Sequence, residues 1–214
     1  MTIVKTCGKL YWAGEYAILE PGQLALIKAI PIYMTAEIKA SNDYRLYSDM
    51  FSYSVDLRPD SSYALIQETV ALVEEYLTTQ GVELQPFSLD IRGKMEREGK
   101  KFGLGSSGSV VVLVIKAMLA FYERLADREL LFKLASAVLL KRGDNGSMGD
   151  IACIVSEDLV LYQSFDREKV ADWLEKENLQ VVLARDWGFS IRSVEPALKF
   201  DFLVGWTKEV AISS

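Results

Sequence analysis

Between Ile32 and Ile38 apolar and polar side chains alternate, with Ile32, Met34, Ala36 and Ile38 on one side and Tyr33, Thr35 and Glu37 on the other. A period of two is that of a half-buried strand. Tyr44–Ser48, Phe51–Val55 and Phe87–Arg92 are also rich in strand formers, and Asp49-Met50 reads as a turn between the first two. The period changes after Pro59-Asp60-Ser61-Ser62, where Ile66, Val70, Val73 and Leu77 recur at threes and fours before Gly81. That spacing predicts a helix with one apolar stripe.

From Phe102 to Phe121 a glycine- and serine-rich start runs into an apolar segment. Val110–Val112 favour a strand by propensity, but the length of the segment and its run into Ala117, Met118 and Ala120 predict a buried helix. Asp127 predicts the N-cap of a further helix through Leu130, Leu134 and Val138, ended by Gly143. Asp144–Asp150 is turn-rich, and Ile151–Val155 with Leu159–Gln163 predict a hairpin around Glu157-Asp158. A helix from about Asp166 to Glu177 and strands near Val181 and Phe202 complete the pattern. No linker, repeat or charge block divides the chain, so the elements are expected to share one core in a mixed α/β (α+β) fold.

Composition narrows the chemistry. The 214 residues are half hydrophobic, enough for one sizeable core, and contain no histidine. Ser-His-Asp triads, Cys-His dyads and His-liganded zinc or iron are thereby excluded, and proton transfer falls to Asp, Glu, Lys, Tyr or Cys. Thirty acidic against 24 basic side chains, a net charge of −6, argue against an extended nucleic-acid or anionic-membrane surface. Cys7 and Cys153 are too few for a disulfide framework and suit a reducing compartment. The N-terminal residues carry no signal-peptide pattern, and the apolar run Val110–Ile115 is far shorter than a membrane span, so a cytoplasmic location is expected.

Gly103-Leu104-Gly105-Ser106-Ser107-Gly108 matches G-x-G-x-x-G. A dinucleotide fold needs a hydrophobic strand immediately before such glycines and another after the helix, but here Glu96–Lys101 precede them and a second helix follows. A Walker loop fails as well, because Ser109 and Val110 stand where Lys and Ser/Thr are required. Glycines ahead of a helix start let backbone amides approach an anion, and the neighbouring Lys100-Lys101 tilts the loop toward phosphate rather than a plain serine-capped turn. Two other segments are chemically suggestive. Gly8-Lys9-Leu10-Tyr11-Trp12-Ala13-Gly14-Glu15-Tyr16 sets a lysine and a glutamate among aromatics and glycines, although by itself it reads as an edge strand with ordinary surface charges. Gly143–Asp150 is dense in Gly and Asx, and Asp150, at the start of an expected strand, is equally a base or the close of an Asx turn.

Together, Gly8–Tyr16, Gly103–Ser107 and Gly146-Ser147-Met148-Gly149-Asp150 resemble the motifs of the GHMP kinase family. The resemblance extends over essentially the whole chain, including Val204-Gly205-Trp206-Thr207 and Ser213-Ser214. It implies a ribosomal-protein-S5-domain-2-like N-terminal domain over residues 1–197. Residues 198–214 would form the first strand of a ferredoxin-like C-terminal domain, of which only the start is present, with a third glycine-rich motif beyond Ser214. ATP, Mg²⁺ and a small-molecule substrate would bind between the domains. The resemblance assigns Lys9 to the substrate and the transferred phosphoryl group, and Asp150 to the accepting group. It assigns Lys101, Gly103, Leu104, Gly105, Ser106, Ser107, Gly108 and Ser109 to the ATP phosphates, with Ser107 nearest Mg²⁺. Glu15, Tyr16, Ser147 and Ser213 would be further substrate contacts, and the Phe51–Arg92 region is the family's usual place for adenine. Ser107-Gly108-Ser109 stands where many relatives have Ser-Ala-Ala, and Tyr16 where mevalonate kinases often have histidine. The first of these departures favours the branch whose acceptor is 5-phosphomevalonate. A kinase for mevalonate or another small hydroxy acid, and a shortened chain without turnover, are the alternatives.

Overall fold

The computed structural model describes residues 1–93, 96–97, 100–198 and 201–205. The chain opens with two long strands, β1 (Thr2–Ala13) and β2 (Leu24–Ala40), joined through a short 3₁₀ turn at Ala17–Leu19. Then come β3 (Arg45–Ser48), β4 (Ser54–Val55), α1 (Ala64–Thr79) and β5 (Phe87–Arg92), followed by a small hairpin of β6 (Glu96–Arg97) and β7 (Lys100–Lys101). Helices α2 (Ser106–Phe121), α3 (Arg128–Lys141) and α4 (Gly149–Ser156) lead to β8 (Leu159–Gln163), α5 (Arg167–Lys176), α6 (Leu179–Ala184) and β9 (Ser190–Ser193).

The main sheet runs β4-β3-β5-β2-β8-β9, with β1 antiparallel along the other edge of β2. Strand β2 is long enough for its first half to pair with β8 and its second with β5. Its expected alternation holds for Met34, Ala36 and Ile38, which are buried, against Tyr33 and Thr35, which are exposed. Ile32 is exposed despite its place in the pattern. It falls where the β1 register jumps from Cys7↔Tyr33 to Gly8↔Ile30, so a bulge turns it off the core face. Asp127 and Asp166 cap α3 and α5 by accepting from the Leu130 and Lys169 amides at 2.8 and 3.0 Å.

Helix α2 lies against β1 and β2 with α1, α3 and α4 around it. Val110–Ile115 are therefore buried on every side. Burying each such side chain fully is worth about 1.5–3 kcal/mol over leaving it exposed, which overrides the strand propensity of the three valines.

Three expectations fail. Ile151–Val155 is not half of a hairpin: it forms α4, enclosed by α2, α3, β1, β2 and β8. A segment apolar on all faces has no period to distinguish helix from strand. Asp150 accordingly sits in the first turn of a helix, not at the entrance of a strand. Val181 lies in α6, whose start is set by Asn178 accepting from the Gln180 amide at 2.9 Å. Phe202 lies in 201–205, which pairs with no strand among the described residues, and its ring rests 4.7 Å from that of Trp12. Among the described residues no helix is long and apolar enough to cross a membrane.

Candidate active site

Strand β1 and the glycine loop meet backbone to backbone. The Lys9 amide donates to the Leu104 carbonyl at 2.9 Å, and a Cβ on Gly8 would stand 3.1 Å from that of Leu104, so the approach depends on Gly8 having no side chain. Gly103 and Gly105 take left-handed φ of 75° and 77°, which turn the chain from β7 into α2. The first bond of the turn is Ser109 N–H to the Gly105 carbonyl at 3.0 Å, so the amides of residues 106–108 precede it and face outward from the helix start. No acidic residue occupies this first turn. The positive end of the helix dipole is left for an outside anion.

Two charged side chains converge on this helix start. A Cβ on Gly105 would fall 2.9 Å from Lys9 Cε and 3.5 Å from Asp150 Cβ, and one on Gly108 would fall 2.7 Å from Asp150 Oδ2. The missing side chains of these two glycines thus make the space that Lys9 and Asp150 fill. Burial pushes the Asp150 carboxyl above its ordinary value. The Lys9 charge and the Ile151 amide, which donates to Oδ1 at 2.9 Å, pull it back. Asp144, in the loop ahead of α4, adds to the upward push.

Asp150 is aimed by an unusual turn. Met148 is buried with φ +62°, a left-handed conformation that costs a non-glycine residue about 1–3 kcal/mol. Next to it the Ser147 hydroxyl lies 2.9 Å from the Tyr11 hydroxyl and accepts from the Gly149 amide at 3.2 Å, while its carbonyl accepts from the Tyr162 hydroxyl at 2.9 Å. Gly149 is required too, since a Cβ there would collide with the Tyr11 hydroxyl and come within 2.8 Å of Ile27 Cδ1.

The structure brings most of the expected residues to one end of α2, but not all in the expected way. Lys9, Gly103–Gly108, Ser147 and Asp150 cluster there, and Ser107 is exposed at the helix start. Ser109 is turned away: fully buried, its hydroxyl donates to the Cys7 carbonyl at 2.7 Å while its own carbonyl accepts from Thr6 at 3.1 Å. Its side chain fastens α2 to β1 and does not reach outward. Lys101 lies in β7, immediately ahead of the loop. Glu15 and Tyr16 project from the turn after β1; Tyr16 is 80% exposed, and Glu15 is near enough to Tyr11 to raise its pKa. Ser213 lies outside the described residues.

Tyr11, Tyr162, Met148 and Asp144 are the site's residues that the motifs did not single out. Only Tyr11 left a signal, since residues 9 and 11 of a strand share a face. The two cysteines lie behind the site, and burial pushes the Cys7 thiol up to about 11 and Cys153 higher still. Neither is a nucleophile at neutral pH.

Residues 64–158 match the family described as GHMP kinases N terminal domain. A curated phosphomevalonate kinase from Streptomyces sp. (strain CL190) is 29% identical, over 98% of this chain and 63% of that one. Among solved structures, Streptococcus pneumoniae phosphomevalonate kinase in complex with phosphomevalonate and AMPPNP is 74% identical with a TM-score of 0.98, covering 100% of this chain and 65% of its own. The Lin0012 protein from Listeria innocua is 32% identical with a TM-score of 0.86, covering 91% and 57%. The chain thus spans a little under two thirds of the length of these relatives.

Proposed function

We propose that the chain is a GHMP kinase, residues 64–158 matching the N-terminal domain of that family, and that it serves transfer of the γ-phosphoryl group of ATP to the phosphate of 5-phosphomevalonate, giving 5-diphosphomevalonate and ADP. The observation that carries the proposal is the convergence of Lys9 and Asp150 on the two glycines at the start of α2. The 74% identity to a kinase whose structure holds phosphomevalonate and AMPPNP supports the choice of acceptor. Residues 1–197 form the nucleotide-binding domain in this proposal, and the domain that follows starts at 198.

An acceptor phosphate oxygen attacks Pγ in line, the bond from Pγ to the bridging oxygen breaks, and ADP leaves. Both reactants are anions, so the protein's task is to hold them together and offset their charge. The amides of 106–108 and the positive end of α2 take the ATP phosphates, with Lys101 beside them. Lys9, across the cradle, neutralises the transferred group and the acceptor. Ser147, Glu15, Tyr16 and Ser213 hold the rest of the acceptor. Mg²⁺ fits as a hard cation arriving on the nucleotide with the Ser107 hydroxyl as a protein oxygen ligand, and when bound it supplies charge neutralisation at the phosphates. Among the described residues there is no group of three or more acidic or cysteine side chains to hold a metal without the nucleotide.

Asp150 has a defined part. Burial raises its carboxyl above the ordinary value, which eases the approach of an anionic acceptor, since a proton held between carboxyl and phosphate avoids setting two full charges against each other. Asp150 therefore orients the acceptor and takes up a proton when the acceptor arrives in its monoanionic form.

Coupled ADP release, measured with 5-phosphomevalonate and with mevalonate on this chain and on one extended to the length of the relatives, tests the proposal. Turnover with the phosphorylated acceptor is expected, and Lys9→Met should lose roughly 10²–10⁴ of it, the scale of removing one positioned charge. Turnover with mevalonate alone, or near-normal rates in Lys9→Met, would overturn the assignment.

A further inference from the structure

We propose that Tyr11 is the positioning residue of this site, its ring supporting Lys9 from below and its hydroxyl holding Ser147 in place. The inference rests on the roles given above to Lys9 and Ser147. Lys9 Nζ lies 4.8 Å from the centre of the Tyr11 ring, within the range in which an aromatic face attracts a cation. The Tyr11 hydroxyl lies 2.9 Å from Ser147 Oγ, across 136 residues of sequence. One side chain therefore ties the β1 lysine to the loop ahead of α4, the two segments to which the proposed function gives contacts with the acceptor.

The arrangement is rigid on both sides of the ring. Lys9 and Tyr11 share a face of β1 between two irregularities in its pairing with β2, at Cys7/Gly8 and Tyr11/Ala13. These bulges set the direction of that face independently of the rest of the strand. Ser147 is 7% exposed and its carbonyl is anchored by Tyr162, so its hydroxyl has little freedom beyond the bonds to Tyr11 and Gly149. The absent side chain of Gly149 leaves room for the tyrosine hydroxyl. Burial also keeps the phenol protonated across any working pH, so it can donate to Ser147 throughout.

The two contacts separate by substitution. Tyr11→Phe keeps the ring under Lys9 and removes the bond to Ser147, whereas Tyr11→Leu removes both. In steady-state assays Tyr11→Phe should raise KM for 5-phosphomevalonate about 3- to 10-fold with kcat within about twofold, the scale of one neutral hydrogen bond. Tyr11→Leu should in addition lower kcat about 10- to 100-fold, because an unsupported Lys9 wanders from the transferred group. A purely structural role would move both variants alike, in step with their melting temperatures. A second measurement needs no turnover: in protein carrying ¹³Cε-labelled lysine, the Lys9 methylene signal, assigned through Lys9→Arg, should be shifted by the aromatic ring. The shift should survive in Tyr11→Phe and vanish in Tyr11→Leu. Tyr11→Phe with KM within twofold of wild type overturns the role of the hydroxyl. A Lys9 signal unchanged in Tyr11→Leu overturns the role of the ring. Absence of wild-type turnover with 5-phosphomevalonate counts against the proposed function instead, and leaves the lysine signal to decide the positioning claim.

Discussion

Replacing Gly108 by alanine adds one methyl group between the glycine loop and Asp150. Built on the backbone, the new Cβ falls 2.7 Å from Asp150 Oδ2, 3.1 Å from Ile151 Cδ1 and 3.2 Å from Asp150 Cγ. Ordinary contact begins near 3.5 Å, so the carboxylate must retreat by roughly 0.5–1 Å. Gly108 has helical φ, and alanine there gains about 0.8–1 kcal/mol of helix propensity. Crowding costs about 1–3 kcal/mol in a tight interior, toward the low end here because a terminal carboxylate can rotate. The two terms nearly cancel, and the melting temperature should move by no more than about 2–4 °C, the equivalent of 1 kcal/mol in a domain this size. Turnover should not be spared, since misplacing a positioned group by about 1 Å costs up to roughly 10²-fold. The assay is ADP release beside calorimetric melting, repeated in an Asp150→Ala background, where the carboxylate is gone and only the 3.1 Å approach to the flexible end of Ile151 remains. There Gly108→Ala should stabilise by up to about 1 kcal/mol. A Gly108→Ala enzyme with wild-type kcat, or the same stability change in both backgrounds, would refute the claim that this glycine exists to seat Asp150.

Other outcomes follow from the same geometry. Because the folded pKa of Asp150 lies above 3.8, the wild type should lose stability relative to Asp150→Asn as pH rises from about 4 through that folded pKa, and the gap should then level off. Urea unfolding of both proteins across pH 4–8 measures it, and a pH-independent gap contradicts the buried carboxylate. Ser109→Ala should cost about 1–3 kcal/mol by orphaning the Cys7 carbonyl yet leave KM for ATP unchanged, whereas Ser107→Ala should do the reverse. An ATP effect from Ser109→Ala without loss of stability would restore that residue to the phosphate site. Lys133 is 5% exposed and donates to the Leu183 and Arg185 carbonyls at 3.0 and 2.8 Å, closing the C-terminal end of α6. Lys133→Met should lower stability by about 1–3 kcal/mol in urea titration, and an unchanged midpoint would show those carbonyls are satisfied otherwise.

The three motifs were legible because each is a local cluster of residue types whose chemistry does not depend on neighbours: glycines before a helix, a lysine among aromatics, an aspartate after Gly-Ser-Met-Gly. Elements with one wet face were legible too, as the alternation of Met34, Ala36 and Ile38 and the stripe of Ile66, Val70, Val73 and Leu77 show. Residues 151–155 carry no such signal, because burial of Ile151–Ile154 and an apolar Val155 leave no period to separate helix from strand. The tertiary structure alone decided that Lys9 and Asp150 share one cradle, that Ser109 points inward and that Tyr11 reaches Ser147. These contacts join segments more than a hundred residues apart, where spacing along the chain carries no information about distance, and they arise only when the bulged β1, α2 and α4 pack together.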